Sequence, residues 1–167
     1  MLARDLLDQA EHLASLDKKK PKQANLRRAV SSADYSLFHL LAGTVARQLV
    51  GSDSVAGLTE LFVRTFEHSE MKSVCQKFGN PQLSPRLKKL IHVVSADLAF
   101  VANAFVTLQE ARHEADYDLS RRFSRGEVLG LIARAEEAFE KWSALPWTSE
   151  ARIFGLALAS GKKLLRE

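Results

Sequence analysis

The residues of this chain that are best suited to chemistry lie in the segment RHEADYD, at positions 112–118, directly after a long apolar run. The segment combines basic, acidic, imidazole and phenol side chains, and further arginines follow at 121, 122 and 125. Guanidinium groups orient and neutralise phosphate oxygens, an acid or an imidazole moves protons, and a phenol stacks or hydrogen-bonds. The mixture indicates a phosphodiester ligand. The candidate catalytic residues are Arg112, Asp116 and Tyr117, and the candidate nucleic-acid- or nucleotide-binding residues of this region are Arg112, His113, Arg121 and Arg122.

The apolar stripe before this segment indicates which way Arg112 points. Apolar residues recur at helical spacing along residues 87–108, and at 100° per residue the next members of the stripe are Arg112 and Ala115. Asp116 comes four residues after Arg112, on the same face and close enough to form an ion pair. Arg112 is therefore expected where a core side chain is due. It belongs either to a ligand site or to an ion pair with Asp116 that satisfies charges at a half-buried helix end.

A second basic cluster lies near the amino terminus. The segment KKKPKQANLRR, residues 18–28, holds six basic residues and no acid, within a chain of net charge +4. Such a patch attracts phosphates, and binding through it weakens steeply with salt. The alternative is a solvated loop followed by the first turn of a helix. Its candidate nucleic-acid-binding residues are Lys18, Lys19, Lys20, Arg27 and Arg28.

No metal or other cofactor is expected. Glu110 and His113 form the Glu-x-x-His pair that carboxylate-bridged metal bundles use, but such a site needs a second pair and the sequence has no other. We therefore expect Glu110 and His113 to be ordinary surface residues and not metal ligands. The sequence also lacks the G-x-S-x-G turn of many serine hydrolases and the clustered glycines of a phosphate-binding loop.

The hydrophobic periodicity predicts an all-α protein. Apolar residues recur at three- and four-residue spacing almost everywhere, and strict alternation is absent. Short breaks at proline and glycine separate the helices, which favours an up-and-down bundle of about five to six helices. Ser124 and Glu127 form a capping box that starts the fifth of them. The predicted helices cover residues 2–16, 22–50, 58–78, 85 through the segment 112–118, 124–144 and 149–165.

Length and composition predict a single domain, residues 1–167, in the cytoplasm. The chain has no uninterrupted apolar stretch of about eighteen residues, which a membrane-spanning helix requires. Arg4 and Asp5 stand where a signal peptide would be apolar, so neither secretion nor a membrane location is expected. The lone Cys75 cannot form an internal disulfide, which fits a reducing compartment.

Two stretches together resemble the HEPN superfamily of prokaryotic helical domains. They are LRRAVSSADYSLFHLL, residues 26–41, and LQEARHEADYD, residues 108–118, and the likeness spans about residues 22–142. The resemblance implies a helical bundle, usually a homodimer, in which the arginine-bearing helix ends line a shared cleft that binds or cleaves RNA. It also implies a toxin or defence role for several members, some of which pair with a small nucleotidyltransferase antitoxin.

The resemblance does not carry the ribonuclease motif over intact. In ribonuclease members a histidine follows the arginine after four to six residues, and here that window holds Tyr117, Asp118 and Leu119. We therefore expect an RNA- or nucleotide-binding protein with weak or absent ribonuclease activity; if it is an enzyme, it is a metal-independent endoribonuclease. The alternative is a non-catalytic dimeric interaction module, paired with a protein such as a nucleotidyltransferase. A positive, open cleft at Arg112 favours the first interpretation, and an internal ion pair that closes it favours the second.

Overall fold

The computed structural model describes residues 1–51 and 55–165, apart from the Lys162 side chain. Over these ranges the protein is all-helical and contains no β-strand, as the periodicity predicts. The helices form a bundle and number eight, with a short 3-10 helix at Gly161–Lys163. They are α1 (Leu2–Ser15), α2 (Gln23–Val50), α3 (Leu58–Val63), α4 (His68–Phe78), α5 (Pro85–Leu90), α6 (Ala96–Tyr117), α7 (Arg125–Ala144) and α8 (Ser149–Ser160).

The helix count exceeds the predicted five to six because two of the expected helices are each divided. Residues 58–78 form α3 and α4, separated at 64–67. There the Thr65 hydroxyl donates a hydrogen bond of 2.7 Å to the Phe62 carbonyl, and the backbone N–H of Thr65 donates to the same oxygen at 3.0 Å. Glu67 then takes an extended conformation, with φ −119° and ψ 131°. Local hydrogen bonds from threonine thus compete with continuation of the helix.

The second division separates α5 from α6. Ile91 is extended, with φ −140° and ψ 141°, and two more β-branched residues, Val93 and Val94, follow it. Ser95 then accepts a hydrogen bond of 3.3 Å from the backbone N–H of Leu98 through its hydroxyl. β-Branched residues favour an extended backbone, which ends α5. The serine favours the start of a new helix, which is α6.

The described residues form two compact units, each assembled from two separate stretches. The first unit contains residues 1–39 and 104–140, and the second contains residues 40–103 together with the described chain from 141 onwards. The single-domain interpretation stays a prediction. None of the helices in the described ranges is long and apolar enough to cross a membrane.

Helix α2 is the most buried of the described helices. Its inward residues include Leu26, Val30, Leu37 and Leu41, none of which has measurable exposure. Polar side chains are buried in the same helix, within the first unit. They are Ser31, Ser32, Asp34 and Ser36. A buried carboxylate requires a charged or hydrogen-bonding partner, so Asp34 must have one close by.

Candidate functional site

Arg112 lies on the buried face of α6, as the apolar stripe predicts. Leu98, Phe105 and Leu108 are fully buried, and Ala115 is 5% exposed. The Arg112 side chain is 13% exposed. The long aliphatic part of an arginine can pack among apolar neighbours while its guanidinium requires polar partners.

Two carboxylates supply those partners. The Nε atom of Arg112 lies 3.0 Å from Oδ2 of Asp34 in α2, whose side chain is fully buried. Its Nη1 donates a hydrogen bond of 3.1 Å to Oδ2 of Asp116, which is 34% exposed. Of the two alternatives for Arg112, the structure therefore contains the ion pair with Asp116. We call Asp34, Arg112 and Asp116 the acid–arginine cluster; it contains two acids for one base.

Helix α2 supports the cluster in two further ways. The Ser31 hydroxyl donates a hydrogen bond of 2.9 Å to Oδ1 of Asp116, which fixes the oxygen that Arg112 does not contact. The Tyr35 ring lies beneath the guanidinium, with its centroid 5.6 Å from Cζ of Arg112. A cation over an aromatic face is stabilised by the ring quadrupole. These contacts position the Arg112 guanidinium against α2.

His113 and Tyr117 lie on the exposed side of the same helix end. Their ring centroids are 4.9 Å apart, as expected for aromatic residues four positions apart in a helix. Tyr117 is 69% exposed. The structure thus brings Arg112 and Asp116 together, and it places His113 with Tyr117 in a separate, solvent-facing pair.

Arg121 is held by two glutamates. Its Nε donates to Glu114 and its Nη2 to Glu127, both at 2.9 Å. The capping box at the start of α7 is confirmed: the Ser124 N–H donates to Glu127 Oε2 at 2.7 Å, and the Glu127 N–H donates to the Ser124 hydroxyl at 3.2 Å. Hydrogen bonds from the Ser124 backbone, Arg121 and the Ser124 hydroxyl lower the pKa of Glu127 to about 2. Hydrogen bonds to Glu127 and Glu114 raise the pKa of Arg121.

Arg27, a predicted nucleic-acid-binding residue, is bound to the backbone at the end of α6. Its Nη1 donates to the Ala115 carbonyl at 2.7 Å, and its Nη2 donates to the carbonyls of Asp118, at 3.0 Å, and Arg121. The carbonyls at the end of an α-helix lack partners within the helix and carry partial negative charge. Arg27 therefore joins α2 to the end of α6.

Arg125 does the same for α1, which the sequence did not indicate. Its guanidinium donates to the carbonyls of Ala14 at 3.0 Å, Leu16 at 2.8 Å, Asp17 at 2.9 Å and Lys18 at 2.8 Å. Each of its three nitrogens takes part. These hydrogen bonds connect the start of α7 to the end of α1 and to Lys18, the first residue of the lysine run.

The remaining predicted cations are exposed and lie at this same end of the first unit. Arg125 contacts the Lys18 backbone, and the Gln23 side chain exchanges two hydrogen bonds with the Phe123 backbone, at 2.7 and 2.9 Å. These contacts bring residues 18–23 beside residues 121–125, although about a hundred residues separate the two segments in sequence. We call the exposed cationic side chains of this region the basic end: Lys18, Lys19, Lys20, Arg28 and Arg122.

The charged side chains of the acid–arginine cluster pair with one another. Asp34 and Asp116 contact the guanidinium at its Nε and Nη1 atoms. No set of three or more histidine, cysteine, aspartate or glutamate side chains is arranged to share a metal ion in the part of the chain that the structure describes. Comparisons with known proteins add no family to this description, because no family model, curated protein or solved structure matches the chain.

Proposed function

We propose that the protein is a HEPN-like helical bundle that binds RNA through its basic end and does not cleave it. The observation that carries the proposal is the joining of two cationic segments by Arg125, which donates to four carbonyls at the end of α1 and in the lysine run. Cationic side chains gathered at one end of a unit attract a polyanion and release its counterions.

The two acids near the basic end each have local hydrogen-bonding partners. Asp17 accepts a hydrogen bond of 2.8 Å from Asn25 and lies 3.8 Å from Lys22. Asp118 accepts from the hydroxyl and the backbone N–H of Ser120, and these bonds lower its pKa. An exposed run of lysines suits a flexible phosphate backbone better than a single nucleotide.

In this proposal Arg112 organises the helix end and takes no part in cleavage. Its guanidinium is shared by Asp34 and Asp116, and the window four to six residues after it contains no histidine. An aspartate needs a strongly raised pKa to do the proton chemistry of an imidazole near neutral pH. RNA binding and RNA cleavage are therefore separable in this protein.

The experiment measures binding of a fluorescein-labelled, single-stranded uridine oligomer by anisotropy at several salt concentrations. Lys19→Ala/Lys20→Ala is compared with Lys88→Ala/Lys89→Ala, an equal loss of charge at exposed lysines of α5. If both lysines of the basic end contact phosphates, the slope of log K against log salt decreases by about 1.4, at roughly 0.7 per phosphate on a single strand. The α5 variant keeps the wild-type slope. Equal changes in both variants, or in neither, contradict the proposal.

Cleavage is tested with the same RNA in the presence of EDTA. We expect intact RNA after prolonged incubation. Cleavage by the wild type that Arg112→Ala abolishes in a folded protein would overturn this part of the proposal and establish a metal-independent endoribonuclease.

A second candidate function is a dimeric interaction module, and the closed state of the acid–arginine cluster favours it. The guanidinium pairs internally, while Tyr35 and Tyr117 remain 38% and 69% exposed and Leu119 is 90% exposed. Aromatic residues are enriched in protein–protein interfaces relative to the rest of the surface. This candidate predicts a homodimer, or a complex with a nucleotidyltransferase-type protein, that Tyr117→Ser weakens. Light scattering at micromolar concentration measures it, and a monomer for both wild type and variant contradicts the homodimer.

A further inference from the structure

A cleft of about 480 Å³ lies against α5, in the second unit. Its lining includes two apolar residues, Pro85 and Leu90, and two cationic ones, Arg86 and Lys89. Cavities of roughly 300–1,000 Å³ are of the size in which proteins bind small molecules. The combination of apolar surface with positive charge limits the class of molecule that fits this cleft.

The apolar part of the lining is accessible to a ligand. Leu87 and Ile91, one helical turn apart, are 0% and 7% exposed and anchor α5 in the second unit. Leu90, between them, is 48% exposed, and Val93, just beyond the helix, is 73% exposed. Removing apolar surface from water is favourable, so a molecule with an apolar chain gains by covering Leu90.

The segment that contains α5 carries only positive charge. Residues 71–96 include five lysines and arginines and no aspartate or glutamate. Lys88 and Lys89 are both exposed on α5. Cations gathered in one segment, with no acid among them, attract anions and repel other cations. A negatively charged group within the cleft therefore meets Arg86 and Lys89 at a favourable potential.

We propose that this cleft binds an anionic amphiphile, a molecule with one apolar chain and a negatively charged head group. The chain covers Pro85 and Leu90, and the head group pairs with Arg86 and Lys89. A free alkyl carboxylate and an anionic membrane lipid share this chemistry, and contact with a lipid at a membrane surface requires no membrane-spanning helix. The proposal is independent of RNA binding at the basic end, because it uses none of the cations of that end.

The test titrates the full chain with short amphiphiles and follows the backbone amide signals of residues 86–90 in a proton–nitrogen correlation spectrum. The probes are octanoate, hexanoate, octanol and octylammonium, each below its micelle concentration. We expect octanoate to bind at least about fourfold more tightly than hexanoate, the gain from one fully buried methylene. Octanoate should also bind about fivefold more tightly than octanol, the factor for one exposed ion pair, and octylammonium should not bind.

Matched variants distinguish the cleft from the general charge and apolarity of the surface. Lys89→Ala should weaken octanoate binding about fivefold, whereas Lys88→Ala, the same change at an exposed neighbour, should change it by less than about twofold. Leu90→Ser should abolish the preference for octanoate over hexanoate. Leu129→Ser replaces a leucine of similar exposure, 43%, on α7 in the first unit, and it should keep the preference.

Vesicles identify the source of the amphiphile. The chain is sedimented with vesicles of phosphatidylcholine that contain about one-third phosphatidylglycerol, an anionic lipid, and with vesicles of phosphatidylcholine alone. Binding to the anionic vesicles that Lys89→Ala and Leu90→Ser each weaken supports the proposal with a membrane lipid as the amphiphile. Binding of octanoate without binding to vesicles supports it with a free molecule. Lys19→Ala/Lys20→Ala should bind octanoate as the wild type does, so a failure of RNA binding leaves this result unchanged.

Several outcomes overturn the proposal. They are the absence of any shift of these amide signals at millimolar octanoate, equal affinity for octanoate and octanol in the wild type, and equal loss of octanoate binding in Lys88→Ala and Lys89→Ala. The last result would show that the anion responds to the charge of the whole segment and not to the cleft.

Discussion

Asp34 and Asp116 pair with the same guanidinium but differ in burial, so replacing each by asparagine tests the acid–arginine cluster. The Asp34 side chain is fully buried and Arg112 is 13% exposed, whereas Asp116 is 34% exposed. Removing one partner of a buried ion pair costs about 3–5 kcal/mol, because the other charge is left buried. An exposed pair is worth about 1 kcal/mol or less.

We expect Asp34→Asn to lose about 3 kcal/mol, the lower limit for a buried pair, because Arg112 retains Asp116. Asp116→Asn should lose about 1 kcal/mol, since solvent screens this carboxylate and Asp34 remains. At about 2–4 °C per kcal/mol for a chain of this size, the melting temperature falls by roughly 6–12 °C for the first variant and 2–4 °C for the second. Arg112→Met should cost at least as much as Asp34→Asn, because it leaves the buried Asp34 carboxylate without its guanidinium.

The assay is urea unfolding followed by circular dichroism at pH 7. Asp97→Asn is the matched control, because Asp97 is 52% exposed and pairs with Lys141 at 2.8 Å in the second unit. The double variant Asp34→Asn/Arg112→Met should be more stable than the sum of the single losses predicts, as for residues in direct contact. Equal losses for Asp34→Asn and Asp97→Asn, or additive losses in the double variant, would refute the reasoning.

Three further predictions concern other parts of the molecule. Arg125→Ala should cost roughly 2–3 kcal/mol because it removes hydrogen bonds from a charged group to the end of α1, whereas Arg122→Ala, on the surface, should stay within about 0.5 kcal/mol; thermal melting measures both. The folded pKa of Glu127 is about 2, below its ordinary value near 4.3, so its ionised form stabilises the fold above about pH 4.3 and this contribution is lost as the pH falls towards 2. Glu127→Gln should therefore flatten the acid-induced loss of stability between about pH 4.5 and 2, which urea titrations measure. Cys75 is fully buried and burial raises its pKa, so it should react with a thiol reagent only after unfolding, and fast labelling of the native protein would contradict this.

The sequence predicts the structure best where the determinants are local. The periodicity of α6 places Arg112 on the inward face, and four-residue spacing pairs it with Asp116. The Ser124–Glu127 capping box marks the start of α7 for the same reason, since both partners lie within one turn. In each case helical geometry alone fixes the distance between the side chains.

Contacts between distant segments could not be predicted in this way. Helical spacing does not reveal that Asp34 faces Arg112, because periodicity defines the faces of α2 without showing which helix packs there. One signal was present: Asp34 lies on the inward stripe of α2 beside the apolar residues Ala33 and Leu37, and a charge there implies a buried partner. Arg27 gave no comparable signal. In the sequence, Arg27 cannot be distinguished from its exposed neighbour Arg28. Only the folded structure brings the carbonyls at the end of α6 to Arg27.

The attachment of α1 by Arg125 has a consequence for how the protein is made on the ribosome. The first unit needs residues 1–39 and 104–140, so its amino-terminal half emerges well before the segment that completes it. Until Arg125 has been translated, the last carbonyls of α1 lack the guanidinium that binds them in the finished fold. During that interval the apolar residues of α1 and α2 lack the α6 and α7 residues that complete the first unit, and transiently exposed apolar surface makes a nascent chain prone to aggregation. The interval between synthesis of residues 39 and 140 is therefore the period in which the first unit most needs chaperone protection.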